Sequence, residues 1–71
     1  MNFKLGEIYI DKTKDYFHIF KVVDLKGYGI GAESIILYGL GYISSPFYFA
    51  QNSPIGHNSR TLTDEEKSLY L

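Results

Sequence analysis

The chain has 71 residues, with seven Lys and Arg against eight Asp and Glu, no cysteine, seven tyrosines and five phenylalanines. Without cysteine there are no disulfides and no thiolate metal sites, and so short a chain predicts one domain, residues 1–71, held by tight packing or by self-association. A net charge of −1 argues against a protein that grips nucleic acid mainly by phosphate neutralisation, and equally against an acidic mimic of DNA.

The opening "MNFKLGEIYI" lacks the apolar core of a secretory signal. No apolar run approaches the ~18 residues of a membrane span. A cytoplasmic protein without membrane contact is therefore expected. Residues 7–11, "EIYID", alternate with Ile8 and Ile10 on one face and Tyr9 on the other, the pattern of a half-buried strand that leaves Tyr9 outside. "DKTKD" suits a turn. Residues 16–24, "YFHIFKVVD", are aromatic and β-branched and predict a second strand. Its alternation is imperfect, which calls for a bulge near Ile19 and Phe20 or for burial of both faces.

"KGYGIGAES" follows, and Gly27, Gly29 and Ala32 match the spacing of a dinucleotide-binding fingerprint. That fingerprint needs a helix next and an acidic residue about twenty positions on. Instead comes "SIILYGLGYI", poor helix material, with no acid between Glu33 and Asp64. Gly27, Gly29 and Gly31 are better explained as a connecting loop or hairpin between strands, with a phosphorylated ligand as the functional alternative. Residues 34–43 predict a third strand, carrying Ile36, Tyr38, Leu40 and Tyr42 on one face. "SSP" is a turn, and residues 47–51, "FYFAQ", are a fourth strand that alternates Phe47 and Phe49 with Tyr48.

Residues 52–60, "NSPIGHNSR", have the composition of a polar loop. Within it, His57, Asn58 and Arg60 offer hydrogen-bond donors and a fixed charge able to hold a carboxylate or a small anion. Pairing of Arg60 with Asp64 or Glu65 is the plainer outcome. Thr63 and Glu66 form a capping box that starts a helix over Asp64–Tyr70, docked on the sheet through Leu62, Leu69 and Tyr70. The fold class is thus mainly β, with four or five strands and a short C-terminal helix. It is expected as an SH3-like or similar curved antiparallel barrel or sheet, with a two-layer sheet carrying one helix as the alternative. "LGEIYI" followed by "IFKVVDL" resembles the first two strands of that superfold.

Chemistry has few footholds in the sequence. Ser59, His57 and Asp64 lack a nucleophile elbow, Glu65 and Glu66 are accounted for by capping, and a strand residue such as His18 is expected to be packed rather than reactive. His18 and His57 have no ligand-like spacing, so neither metal nor cofactor is expected. No catalysis is expected. A domain this small cannot enclose all its rings, and Tyr9, Tyr38, Tyr42 and Tyr48 are expected to form an aromatic contact face beside the Arg60 loop. The expected function is a binding module that contacts another protein, itself included, in the manner of a short phage or mobile-element regulator or inhibitor. Capture of a small phosphorylated or nucleotide-like ligand at an oligomer interface is the alternative. Nucleic-acid binding through Lys12, Lys14, Lys21 and Lys26 ranks below both, because five acids are interleaved with them.

Overall fold

The computed structural model describes residues 2–27, 29–39 and 43–71. Among these residues, five strands form one antiparallel sheet: β1 (Ile8–Lys12), β2 (Phe17–Lys26), β3 (Gly29–Tyr38), β4 (Phe47–Phe49) and β5 (Arg60–Thr61). Their order is β4-β3-β2-β1-β5. Helix α1 (Pro54–Asn58) separates β4 from β5, and α2 (Asp64–Tyr70) ends the chain. The mainly β class and the terminal helix are as the sequence predicts. Of the two forms expected, barrel and curved sheet, the protein adopts the sheet. Its edge strands have three and two residues and lie at opposite ends of the order, so no ladder closes it.

The β1–β2 hairpin pairs Ile8 with Lys21 and Lys12 with Phe17 without interruption. The ladder between β2 and β3 breaks twice. Ile19 pairs with Ile36 and Phe20 with Ser34, leaving Ile35 over; Val22 pairs with Ala32 and Asp24 with Gly31, leaving Val23 over. Each bulge reverses the facing of the residues beyond it. The first therefore places Ser34 and Ile36, two apart in sequence, on opposite faces.

Both faces of the sheet carry a buried cluster and the ladder is bulged, which together account for the imperfect alternation of β2. One face holds the larger cluster: Phe3, Tyr9, Phe20, Val22, Ile30, Ala32, Phe47 and Phe49, with Ile55 of α1 packed against it. Edge-to-face contacts organise its rings, with Phe3 4.8 Å from Tyr9 and Phe20 5.5 Å from Phe49. The other face holds Ile10, Ile19 and Leu62, flanked by Ile8, Phe17, Ile36 and Tyr70 of α2. Leu69, expected to dock beside Tyr70, is instead exposed.

Local chemistry sets the helices. In α1, Pro54 begins the turn and the Ser53 hydroxyl accepts from the Gly56 amide, 3.3 Å away. This short helix lies inside the segment expected to be a loop, where one turn leaves too little periodicity to detect. In α2, the Thr63 hydroxyl accepts from the Glu66 amide while the Glu66 carboxylate accepts from the Thr63 amide, at 3.1 and 2.9 Å, completing the predicted box.

The glycine stretch differs from expectation. Gly27 sits in the turn, but Gly29 and Gly31 are buried ladder residues of β3. Neither has a positive φ; among the described residues that conformation belongs to Gly6 and Gly39. Gly31 is needed for space: a Cβ there would lie 2.9 Å from both Asp24 Cβ and Tyr48 Cε1.

Candidate functional site

Three regions concentrate polar or exposed apolar groups. The first is a concavity of about 390 Å³ at the sheet end formed by the β2–β3 turn. Lys26, Gly27 and Gly29 form one wall, and Gln51, Asn52, Gly56 and His57 form the other. Two predicted sites, the glycine stretch and the polar segment, therefore meet. Asn58 is exposed but outside the lining, and Lys26 forms an ion pair with Asp24 at 3.3 Å.

Arg60 is not part of this concavity. Its two terminal nitrogens donate to the two carboxylate oxygens of Glu66, at 2.6 and 2.9 Å. The partner is Glu66 rather than Asp64 or Glu65, because the capping box already turns that carboxylate back toward the helix start. The Arg60 hydrogen bonds, helped by the Thr63 amide, hold the Glu66 carboxyl at about 2, well below its usual range. The same contact raises the Arg60 guanidinium still further. A guanidinium whose two terminal nitrogens are paired with Glu66 joins β5 to α2.

The aromatic face is smaller than expected. Tyr9 is 2% exposed and belongs to the larger cluster. Its burial costs little because its hydroxyl accepts from the Lys4 amide at 2.8 Å, which also ties down the N-terminal segment. Tyr42 lies outside the described residues. Tyr38 and Tyr48 are exposed, at 68% and 59%. Tyr48 alternates with the core residues Phe47 and Phe49, and Tyr38 stacks on Phe17 at 5.7 Å. Both therefore lie on the sheet face that carries α2. The bulge residues Val23 and Ile35 are also exposed.

The third region went unnoticed in the sequence. Asp11 of β1, His18 of β2 and Ser34 of β3 form a row across three adjacent strands beside the larger cluster. Asp11 and His18 are direct cross-strand partners, each only 1% exposed. Ser34 Oγ lies 2.8 Å from His18 Nε2, and the Tyr16 hydroxyl donates to Asp11 Oδ2 at 2.9 Å. Burial pushes the imidazole below its ordinary 6.5, against the opposing pull of the Asp11 charge. Burial and the Asp11 carboxylate together raise the Tyr16 phenol. Among the described residues, Asp11 Oδ1 and His18 Nδ1 have no hydrogen-bond partner. The Asp–His facing follows from the hairpin register, which "DKTKD" does not determine; the approach of Ser34 depends on the bulge expected near Ile19 and Phe20, whose extra residue, Ile35, lies on β3.

Among the described residues, no three His, Asp or Glu side chains cluster as a metal site, and no helix is long and apolar enough to cross a membrane. Comparisons with protein-family models, with curated proteins and with solved structures give no match to this chain.

Proposed function

We propose that the protein is a binding module that works by contact rather than by turnover, engaging another protein through the part of the sheet that α2 leaves open. The observation that supports this most directly is the exposure of Tyr38 and Tyr48 on one face, with Val23 and Ile35 at its bulges. Aromatic side chains are enriched where contact surfaces carry binding energy. In this reading the chain regulates or inhibits the protein it covers. Arg60 contributes by holding α2 in place, not by touching the partner.

A photo-crosslinking residue at position 48, combined with sedimentation velocity at rising concentration, tests the reading. Crosslinks to a defined protein, or to a second copy, that disappear in Tyr38→Ala and Ile35→Ser variants are expected. A chain that stays monomeric and gives the same background crosslinks in all variants would rule the reading out.

The concavity favours a second reading, capture of a small anion between Gly27, Gly29 and His57. A thermal-shift series with inorganic phosphate and nucleotides separates the two, since binding to the folded state alone raises the melting temperature. A rise abolished by His57→Ala would favour capture; an unchanged melting temperature would leave contact as the function.

A further inference from the structure

The Asp11–His18–Ser34 row is unused by either reading above, and in it a serine hydroxyl lies 2.8 Å from a buried imidazole nitrogen. We propose that Ser34 accepts an acyl group from an activated ester, with His18 as the proton acceptor and the carboxylate of its cross-strand partner Asp11 as the charge that faces the imidazole.

The geometry supplies a base in reach of the hydroxyl and rings that pack it in place. A hydroxyl attacks well only when a base lies within hydrogen-bond reach and a third group fixes that base. Ser34 Oγ lies 2.8 Å from Nε2, within that reach. When the hydroxyl donates to Nε2, the single ring proton resides on Nδ1. Asp11 Oδ1 and His18 Nδ1 lie on directly paired residues without a hydrogen bond between them, so the carboxylate acts on the imidazole through its charge. The Tyr16 hydroxyl on Oδ2 fixes the carboxylate from its other side. The rings of Phe20 and Phe47, 5.3 and 5.1 Å from the imidazole, restrict its rotation. His18 and Asp11 are buried, whereas Ser34 is half-exposed.

In the reaction, Oγ bonds to the ester carbonyl carbon as its proton passes to His18 Nε2. The tetrahedral adduct collapses, the bond from carbon to the leaving oxygen breaks, and a phenolate departs with that electron pair. The imidazolium then releases its proton to water, and Ser34 remains as an ester. The Ser34 amide already donates to Ser45 Oγ at 3.2 Å, so it does not stabilise the adduct's oxyanion. A single retained acyl group, not sustained hydrolysis, is therefore the expected product.

The test treats the full chain with p-nitrophenyl acetate and follows nitrophenolate release, intact mass and peptide mapping. Expected are a burst of one nitrophenolate per chain and one acetyl group on Ser34, faster than in the urea-unfolded chain by roughly 10²–10⁴-fold. Ser34→Ala should lose the burst. Asp11→Asn should slow it and move the midpoint of its pH profile downward, because the charge that supports imidazole protonation is gone; Tyr16 is the other titratable group in contact with the row. Acetylation confined to lysines, or equal Ser34 labelling in folded and unfolded chains, would overturn the proposal even if Asp11→Asn does not fold.

Discussion

At the residue scale, ionisable side chains couple the fold to pH in two separate windows. Glu66 is held at about 2 in the folded chain, against an ordinary 4.5. Its contribution is complete above 4.5 and is lost as pH falls from there toward 2. Glu66→Gln should therefore flatten that part of the acid-unfolding profile, measured by urea titrations across the range. His18 behaves in the same direction at higher pH. Its folded value lies below 6.5, so the unfolded chain takes up the proton first, and stability declines as pH drops below 6.5. An NMR titration of the His18 ring should show a midpoint below 6.5. Tyr16→Phe removes the donor to a carboxylate that is 1% exposed. It should cost about 1–3 kcal/mol in urea unfolding, the usual consequence of leaving a buried acceptor unsatisfied.

At the level of elements, two glycines separate helix propensity from packing. Alanine normally favours a helix over glycine by about 1 kcal/mol. Gly56 in α1 reverses that sign, because a Cβ would meet the backbone carbonyl of Gln51. Gly56→Ala should destabilise by about 1–3 kcal/mol. At Gly31 the obstructing group includes the exposed Tyr48 ring, which can turn away. Gly31→Ala should thus cost less than Gly56→Ala in the same urea series. The hairpin β1–β2 and the capping box of α2 were legible because each depends on residues close in sequence. The start of β3 was not, because Gly29 and Gly31 are in the ladder for reasons of space contributed by β2 and β4.

For the whole molecule, the governing feature is a sheet packed on both faces by a chain of minimal length. At about 0.05–0.15 kcal/mol per residue, net stability is roughly 4–10 kcal/mol. Phe20, 0% exposed, packs against rings from β1 and β4. Phe20→Ala should cost about 3–5 kcal/mol and leave much of the chain unfolded at moderate temperature, as thermal circular dichroism would show. Tyr48→Ala should change stability by no more than about 0.5 kcal/mol, the value for an exposed site away from special features. That contrast separates rings that build the core from rings available for contact, which the binding reading requires.

By itself, the sequence determined what local chemistry controls: strands from aromatic and β-branched runs, the β1–β2 turn from its charged residues, and α2 from Thr63 and Glu66. Tertiary structure alone decided which rings are inside. Alternation in "EIYID" gives two faces but not the number that are covered, so Tyr9 could be placed in the core only once a second layer and the Lys4 amide were in position. The same holds for Asp11, His18 and Ser34. Their meeting depends on a hairpin register and a bulge, and both are settled by packing between strands rather than by preference within one.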